Sequence, residues 1–478
     1  MREKTPWTNR DILTATGGKI RYGREDVYQG VTIDSRTARP GQLFVAIRGK
    51  THDGHLFIEK ALQQGVRGLL VEQDYARKEA SYLEGIEATC IEVDDTTRAL
   101  GRLGRFRRRL MGLPVVAITG TNGKTTTREM TTGVLARHFR VLASAGNYNN
   151  EIGVPLTLLR LEKDHQVGVL ELGMNAPGEI KRLAGICEPD LGVVLNVSAG
   201  HLEGLGNIEG VAAAKSELVA ALGDKSTAVL NADDPRVLGM ANKAGARVVT
   251  YGRSKSADVR AVRMEKKVPG LLIGIEFPGR RKSLSVQLSS GGEHMISNAL
   301  AAATVGFLLD IQEQEIKAAL EDFGPVAGRL VVTETAAGFT IIDDTYNANP
   351  DSAAVAIDEL AAAYGDGRLI LVFGDMLELG EHAREMHREI GHRAAARGIN
   401  KIFAAGEFAG EVAAGARHGG MSPADVATGS KAAITRLLLE IIRPGDRVLV
   451  KGSRGMAMET VVVELMELGQ GPGLTEKG

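Results

Sequence analysis

Continuous apolar runs alternate with longer, Ala-rich stretches through most of the chain. Apolar runs without polar alternation are typical of strands buried on both faces of a parallel sheet. They include VVAIT at 115–119, VGVLEL at 167–172, LGVVLNV at 191–197 and TAVLNA at 227–232. The intervening stretches 126–139 and 208–223 have helical spacing and indicate crossover helices. The pattern therefore predicts an α/β fold with mainly parallel sheets.

Changes in this pattern, over a length of 478 residues, predict three domains. A first unit ends near Asp95, before a basic stretch from Arg105 to Arg109 that is typical of a solvated helix face. Between about 250 and 290, shorter alternating runs with Gly and Pro favour antiparallel hairpins attached to the central unit. From Leu330 onward, strands and helices alternate again, as in a Rossmann-like unit. We predict an N-terminal domain over 1–96, a central phosphate-binding domain with a mainly parallel sheet over 97–325, and a Rossmann-like C-terminal domain over 326–478.

Composition and charge narrow the possible functions. Lys and Arg total 58 against 59 Asp and Glu, so the net charge of -1 offers no broad attraction to nucleic acid or anionic membranes. The apolar runs are shorter than the roughly 20 residues needed to span a bilayer. The two cysteines, Cys90 and Cys187, are far apart and indicate neither a zinc site nor a disulfide framework. We expect a cytoplasmic protein that binds no nucleic acid and does not insert into membranes.

One segment has the order expected of a nucleotide phosphate site, which is an apolar strand, a Gly-containing turn, Lys-Thr and a helix. Its turn and first helical residues are Thr119, Gly120, Thr121, Asn122, Gly123, Lys124, Thr125 and Thr126. Backbone N–H groups there can point at phosphate, Lys124 can add a mobile positive charge, and the Thr125 hydroxyl can ligate magnesium. Ile118 stands where the common eight-residue pattern has its first Gly, which argues against an ordinary GTPase or transport ATPase.

Three polar residues follow later apolar runs. Glu171 ends a strand, where a carboxylate can hold magnesium beside phosphates, although an exposed strand-end acid fits equally. His201 follows another strand end, where parallel sheets gather their ligands, but a lone histidine can also be structural. Lys215 lies in a helix of small residues and is either functional or a surface charge. The residues alone leave these alternatives open.

Three further polar segments follow predicted strands. Asn231–Pro235 reads NADDP and fits either nucleotide binding or a turn. Asp343–Pro350 reads DDTYNANP, whose short polar groups can hydrogen-bond ribose or peptide, whereas a plain turn explains its Asn and Pro but not Tyr346. Lys451–Gly455 reads KGSRG and either offers cations and backbone donors to an anion or is a basic loop.

Together these motifs resemble the Mur ligases, and the resemblance covers nearly the whole chain. It rests on Asp34-Ser35-Arg36, GQLFVAIRGKTHDGHLF, TGTNGKTTTREM, GNYNNEIGVPLTLL, ELGMNAPGEI, AGHLEGLGNIEGVAAAKSEL, GEHMISNALAA, DDTYNANPDS, GDMLELG and KGSRGMAME. DDTYNANP and GDMLELG are most similar to the branch of the family that adds D-alanyl-D-alanine. The resemblance implies ATP-dependent ligation of this dipeptide to UDP-N-acetylmuramoyl-tripeptide through an acyl phosphate, which forms the peptidoglycan pentapeptide precursor.

The resemblance also implies which residues contact the muramoyl nucleotide. Those that would lie near its uridine end are Asp34, Ser35 and Arg36. Those that would face its peptide are Asn147, Asn149 and Asn150. The further substrate contacts would come from Tyr346, Asn347 and Lys451.

For ATP and its metal ions, the resemblance implies contacts from several motifs. Asn298 and Asp344 would meet adenine and ribose, and Arg329 would approach the γ-phosphate. Two magnesium ions are expected, one held by Thr125 and Glu171 and a second held with the help of His201. Lys215 matches a lysine that relatives carbamylate with carbon dioxide, which would convert an ammonium into an anion that orients the second magnesium. The residues implied to be catalytic are Lys124, His201, Lys215 and Arg329.

Two other functions are compatible with parts of the chain. A folylpolyglutamate synthetase-like ligase would share the ATP unit but would not need the muramoyl-peptide segments. A nucleotide-gated switch could keep the phosphate loop while losing Glu171, His201 and Lys215, and all three are present. A ligase of small molecules, expected to be a monomer, is therefore the leading hypothesis.

Overall fold

The computed structural model of the chain describes residues 5–24, 26–49, 52–267, 270–289, 292–362 and 367–469. The chain divides into two compact units. The first comprises Met1–Asn196, Ala214–Leu288 and Glu293–Glu321, and the second comprises Val197–Ala213, Ser289–Gly292 and Asp322–Gly478. The segment Val197–Ala213 lies inside the predicted central domain but groups with the second unit.

The N-terminal part of the first unit contains a five-stranded sheet of order β2-β7-β6-β5-β4. Its β2 edge strand runs antiparallel to β7, and the other neighbours are parallel. The strands, including the separate β1–β3 pair, are β1 Trp7–Thr8, β2 Lys19–Tyr22, β3 Val27–Tyr28, β4 Val31–Thr32, β5 Leu43–Val45, β6 Gly68–Glu72 and β7 Thr89–Val93. The helices are α1 Asn9–Thr16, α2 Ile58–Gln63, α3 Gln73–Lys78, α4 Ala80–Glu84 and α5 Thr96–Met111. Leu69 and Val71 of β6 pack into one core cluster and Leu70 into another, so both faces of the sheet are covered.

The central part of the first unit is a nine-stranded sheet of order β16-β15-β14-β13-β12-β11-β8-β10-β9. Its strands are β8 Val115–Thr119, β9 Val141–Ala143, β10 Val167–Glu171, β11 Leu191–Val194, β12 Thr227–Asn231, β13 Arg247–Gly252, β14 Val259–Lys266, β15 Leu271–Glu276 and β16 Leu284–Leu288. Neighbours from β9 to β14 are parallel, whereas β15 pairs antiparallel with both β14 and β16. The predicted hairpins therefore exist, and they extend the central sheet itself.

The next helices are α6 Lys124–Leu135, α7 Gly153–Leu158, α8 Glu179–Cys187, α9 Leu202–Leu205, α10 Ile208–Ala220, α11 Pro235–Gly239, α12 Glu293–Leu308 and α13 Glu313–Glu321. Of these, α9 and the beginning of α10 belong to the second unit. The NADDP segment forms a turn, because the Asp234 carboxylate accepts the backbone N–H groups of Arg236 and Val237 where α11 begins.

The basic stretch in α5 differs from the predicted solvated face. Arg107 is buried, and its guanidinium stacks 4.3 Å from the centre of the Trp7 ring. Arg105 and Arg109 pair with Glu188, and Arg108 pairs with Asp190. The prediction was wrong for Arg107 because its surroundings come from the chain's first strand, far away in sequence.

The second unit carries a six-stranded sheet of order β17-β18-β22-β19-β20-β21, in which only the β17 edge strand is antiparallel among the described residues. Its strands are β17 Val331–Glu334, β18 Thr340–Asp344, β19 Leu369–Gly374, β20 Lys401–Ala405, β21 Val426–Gly429 and β22 Arg447–Lys451. Its helices are α14 Pro350–Ala361, α15 Ala383–Ala396, α16 Ala409–His418, α17 Lys431–Ile441 and α18 Glu459–Gly469. Alternate residues of β19 pack into two core clusters on opposite faces.

These sheets confirm the predicted α/β class and the Rossmann-like C-terminal region, whereas the domain boundaries stay a prediction. No helix within the described residues is long and apolar enough to cross a bilayer.

Helices α15 and α16 approach closely at two glycines. A Cβ atom on Gly391 would lie 1.9 Å from the Val412 carbonyl oxygen, and one on Gly415 would lie 1.8 Å from that of Arg388. Both obstacles are helix backbone, which cannot move aside as a flexible side chain can. This contact needs glycine on both helices.

We expect Gly391→Ala and Gly415→Ala each to destabilise the protein by about 1–3 kcal/mol through overpacking. Gly410→Ala in α16 is the matched control, because a Cβ atom there meets nothing within 4 Å. Alanine's better helix propensity should make that control neutral or more stable by about 0.5–1 kcal/mol. Thermal unfolding midpoints of the three full-length variants provide the measurement. Equal midpoints would show that the helices separate without cost.

Candidate active site

The phosphate loop joins the end of β8 to the start of α6. The Thr119 hydroxyl donates to the Leu172 carbonyl oxygen at 3.0 Å, which ties β8 to the end of β10. A Cβ atom on Gly120 would lie 2.8 Å from Leu195 Cβ, so only glycine fits where the loop passes β11. Gly123 has a φ of +79° and precedes the first helical residue, Lys124. The loop is thus built against two neighbouring strands, with a helix N-terminus at its end.

Asn196 braces this loop, and sequence analysis missed it. The Asn122 N–H donates to Asn196 Oδ1 at 2.8 Å, and Asn196 Nδ2 donates back to the Asn122 carbonyl oxygen at 3.0 Å. The Thr121 N–H also donates to the Asn196 carbonyl oxygen at 3.1 Å. Its position in the sequence could have indicated this role, because Asn196 follows β11 and therefore lies at the same sheet edge as the loop.

Glu171 is buried and accepts hydrogen bonds from separate parts of the first unit. The Thr125 hydroxyl donates to Oε2 at 3.0 Å, and Asn149 Nδ2 donates to Oε1 at 2.9 Å. Arg128 Nη1 lies 3.4 Å from Oε2. The alternative of an exposed strand-end acid is therefore excluded. The carboxylate joins the phosphate-binding helix to the segment 145–150.

The pairing of Thr125 with Glu171 fits one magnesium ion. Magnesium prefers oxygen ligands and is commonly held by one or two protein oxygens together with substrate phosphates. A hydroxyl and a carboxylate at 3.0 Å beside a phosphate loop supply such a donor set. Among the described residues, no group of three or more His, Cys, Asp or Glu side chains forms a complete metal cage. The arrangement suits a metal that arrives with a phosphate ligand.

Two lysines lie near each other beside this loop. Lys124 Nζ donates to the carbonyl oxygens of Gly120 at 2.8 Å and Thr121 at 3.1 Å. Lys215 is only 2% exposed, so the alternative of a surface charge is excluded. Burial, and secondly the positive charge of Lys124, lower the pKa of Lys215 well below its usual value.

Asn298 lies against the end of the phosphate loop. Its Oδ1 accepts a hydrogen bond from the Thr127 hydroxyl at 3.1 Å, and a Cβ atom on Gly123 would lie 2.5 Å from that oxygen. Thr126 is also buried in α6. Asn298 therefore supports the loop, and its contact with adenine stays a prediction.

The three predicted peptide-facing asparagines have different surroundings. Asn149 contacts Glu171, as described above, and its carbonyl oxygen accepts from the Gly173 N–H at 2.8 Å. Asn150 Oδ1 accepts the backbone N–H groups of Ile152 at 3.1 Å and Gly153 at 2.9 Å, where α7 begins. Asn147 is exposed. Their contacts with a peptide stay predictions.

Asp34, Ser35 and Arg36 form a compact turn after β4. The Asp34 carboxylate accepts from the Arg36 backbone at 2.9 Å and from the Arg36 guanidinium at 2.7 Å. These hydrogen bonds lower the pKa of Asp34 to about 2. Ser35 is buried, whereas the Arg36 side chain is exposed. The turn thus presents an exposed cation, and its role toward uridine stays a prediction.

His201 lies in the second unit, and its ring lies close to a residue that sequence analysis missed. His201 Nδ1 lies 2.5 Å from Glu378 Oε2, and both residues have left-handed backbone conformations. The Glu203 N–H donates to the Glu378 carbonyl oxygen at 3.1 Å, so the AGHLEGLG and GDMLELG segments are joined. Lys215 belongs to the first unit. The second magnesium site therefore stays a prediction.

The DDTYNANP and KGSRG segments meet in the second unit. Strand pairing places Asp344 opposite Lys451, and their buried side chains form an ion pair. Lys451 Nζ also donates to the Asn347 carbonyl oxygen at 3.0 Å. Burial lowers the pKa of Lys451 although Asp344 opposes the shift. These contacts exclude the alternative of a loose basic loop.

Two guanidinium groups lie near the Tyr346 ring. Arg329 is 4.1 Å and Arg454 is 6.0 Å from the ring centre. The Arg454 N–H also donates to Asn347 Oδ1 at 3.4 Å. Two cations on one aromatic side chain form a surface suited to anions, and the approach of Arg329 to the γ-phosphate stays a prediction.

Gly123→Ala should weaken ADP binding about tenfold or more. The left-handed backbone costs a residue other than glycine about 1–2 kcal/mol, and the new Cβ atom would overlap Asn298 Oδ1. Gly133→Ala in the same helix is the control, because its Cβ atom meets nothing within 4 Å. Isothermal titration of both variants with ADP measures the difference. Unchanged affinity in Gly123→Ala would show that the loop conformation is unimportant for phosphate binding.

Comparison with known proteins identifies the family. The Mur ligase family catalytic domain matches residues 27–108, the Mur ligase middle domain matches 118–306, and the Mur ligase glutamate ligase domain matches 328–454. The UDP-N-acetylmuramoyl-tripeptide–D-alanyl-D-alanine ligase of Escherichia coli is 36% identical over 96% of this chain and 97% of its own length. The Bacillus subtilis ligase of the same name is 32% identical over 98% of this chain and 99% of its own.

Solved structures agree with these matches. MurF from Acinetobacter baumannii superposes with a TM-score of 0.88 and 32% identity, covering 97% of this chain and 99% of that one. MurF ligase from Thermotoga maritima, solved in complex with ADP, has a TM-score of 0.78 and 28% identity, covering 92% and 97%. Folylpolyglutamate synthase from Mycobacterium tuberculosis has a TM-score of 0.61 at 19% identity over 77% of this chain, which shows a shared fold alone. This chain belongs to the Mur ligase family.

Proposed function

We propose that this protein is an ATP-dependent ligase that joins D-alanyl-D-alanine to UDP-N-acetylmuramoyl-tripeptide and so forms the pentapeptide precursor of peptidoglycan. The observation that carries the proposal is similarity over the whole length to ligases named for this reaction. The N-terminal region is part of that similarity. The match to the folylpolyglutamate synthase is weaker and covers less of the chain. The phosphate loop and the buried Thr125–Glu171 pair supply the ATP end of such a reaction.

The reaction begins when the terminal carboxylate of the tripeptide attacks the γ-phosphorus of ATP. A bond from carboxylate oxygen to phosphorus forms, the bond from the γ-phosphorus to the bridging oxygen breaks, and ADP leaves. Backbone N–H groups of the phosphate loop hold the phosphates. Lys124, which donates to the Gly120 and Thr121 carbonyl oxygens in this structure, would donate to phosphate oxygens when ATP binds. When bound at Thr125 and Glu171, magnesium would neutralise charge on the transferred phosphoryl group.

The second step forms the amide. The amine of D-alanyl-D-alanine attacks the acyl carbon of the acyl phosphate, a tetrahedral anion collapses, phosphate leaves and the nitrogen loses its proton. The protein forms no covalent bond in either step. Its contribution is to orient three substrates, which can lower a barrier by roughly 7–11 kcal/mol.

A direct test incubates the protein with ATP and UDP-N-acetylmuramoyl-tripeptide, with and without D-alanyl-D-alanine. We expect phosphate release that depends on the dipeptide, together with a product whose mass equals that of the pentapeptide nucleotide. Folate and glutamate, supplied in place of the muramoyl nucleotide and the dipeptide, should give no product. Phosphate release that ignores the dipeptide would refute the ligase proposal and favour a nucleotide-gated switch.

We further propose that Lys215 is carbamylated, which would turn its side chain into an anion able to orient a second magnesium. Burial next to Lys124 supports this, because a buried ammonium beside another cation is unfavourable. The lowered pKa gives Lys215 a larger neutral fraction than a lysine with the usual pKa of about 10.4. Only the neutral amine can attack carbon dioxide.

Activity should therefore fall in buffer freed of carbon dioxide and return on addition of bicarbonate. Lys215→Arg should be inactive under both conditions, whereas Lys225→Arg, at an exposed position, should behave like the wild type. Carbon-13 bicarbonate should give a carbamate resonance in the wild type and in Lys225→Arg but not in Lys215→Arg. A resonance that persists in Lys215→Arg would assign the carbamate to another amine.

We also propose a cytoplasmic monomer. Cys90 and Cys187 are free and form no disulfide, which suits a reducing compartment. Both are buried, and burial raises the pKa of each thiol to about 12, so neither is reactive.

A further inference from the structure

Arg128 is a buried cation in the first unit that no motif assignment explains. It lies in α6, one turn after Lys124, and its side chain is only 3% exposed. Taking a guanidinium out of water is costly unless acceptors surround it. Its Nε atom is buried without a hydrogen-bond partner. A residue that serves packing alone would not need a charge here, so the contacts of the guanidinium must explain it.

The guanidinium contacts two parts of the site at once. Arg128 Nη1 donates to the Gly146 carbonyl oxygen at 2.8 Å and lies 3.4 Å from Glu171 Oε2. Nη2 pairs with Glu129. Gly146 belongs to the segment 145–150, and Glu171 ends β10. One planar side chain therefore joins this segment to the carboxylate that also contacts Thr125.

The segment 145–150 is held at its base and exposed at its tip. Gly146 has a φ of +52°, and Asn147 and Tyr148 are exposed. Its second tether is Asn149 Nδ2, which donates to Glu171 Oε1 at 2.9 Å. Arg128 and Asn149 thus approach the same carboxylate from the two ends of the exposed tip. Loss of the Arg128 contact would release the Gly146 end of the tip, whereas the Asn149 end is also held by the Gly173 N–H.

We propose that Arg128 is a positioning residue, which fixes the segment 145–150 for the peptide of the muramoyl nucleotide through the Gly146 carbonyl and Glu171. This inference rests on the proposed function, which supplies the peptide, and on the predicted contacts of Asn147, Asn149 and Asn150 with that peptide. Arg128 touches neither substrate in this scheme. It acts on peptide binding through the segment and leaves the backbone N–H groups of the phosphate loop in place.

The test compares Arg128→Met, Arg128→Lys and Arg107→Met. Arg107 is the matched control, because it is an equally buried arginine that stacks on Trp7 away from these contacts. Isothermal titration with UDP-N-acetylmuramoyl-tripeptide in EDTA, without ATP, measures the affinity for the muramoyl nucleotide. Under these conditions neither metal binding nor turnover contributes to the result. Titration with ADP under the same conditions measures the ADP affinity, which depends on the phosphate loop.

In Arg128→Met we expect at least tenfold weaker binding of the muramoyl nucleotide and less than threefold change for ADP. The KM for the muramoyl nucleotide should rise more than kcat falls. Arg128→Lys should recover part of the affinity, because its single ammonium can replace one of the two contacts. Arg107→Met should lower the unfolding temperature. It should not weaken binding of the muramoyl nucleotide more than binding of ADP.

Equal weakening of both ligands in Arg128→Met, or no weakening of muramoyl-nucleotide binding, would overturn the positioning role. If Arg128→Met does not fold, Arg128→Lys decides, since wild-type affinity in that variant would equally overturn it. Failure of the proposed function is a separate result. In that case, the wild-type protein itself would neither bind the muramoyl nucleotide nor form the pentapeptide product.

Discussion

A buried carboxylate must be surrounded by hydrogen-bond donors, and in this protein that constraint falls on Glu171. An ionised carboxyl group away from water is unfavourable unless donors replace its hydration. At the end of β10 the donors come from Thr125 and Arg128 in α6 and from Asn149. Parallel strands make this possible, because their carboxyl ends and the loops that follow meet at one sheet edge. The carboxylate that suits magnesium therefore also fixes the positions of α6 and of the segment 145–150.

The central sheet and the phosphate loop were predictable because their signals are local. Strands β8, β10, β11 and β12 are continuous apolar runs, and the loop is a single uninterrupted segment. Strand β21 is harder to predict, since VATG is short and carries little apolar signal. Arg107, Arg128 and Asn196 are different, because each depends on partners far away in sequence. From the sequence, Arg128 is an ordinary polar residue of a helix. Its role becomes visible only in the fold, where it contacts Gly146 and Glu171.

The second unit shows why motifs that were found separately could not be interpreted separately. Asp344 ends β18 and Lys451 ends β22, and the parallel register places them opposite each other. Either residue alone suggests a polar loop. Paired, they form a buried ion pair that also holds the Asn347 carbonyl oxygen. The charge of Lys451 is therefore already engaged in shaping the DDTYNANP segment, which favours a supporting role over direct contact with substrate.

Lys215 is a second buried ionisable group of the first unit, and its positive charge would be unfavourable. As an ammonium it would be a buried cation next to Lys124, whose own charge is needed for phosphate. A neutral amine removes the repulsion but adds nothing to the site. The proposed carbamate would reverse the sign, so that the interaction with Lys124 would become attractive and an anion would be available to orient a metal ion. The same burial that disfavours the ammonium therefore favours the chemistry that replaces it.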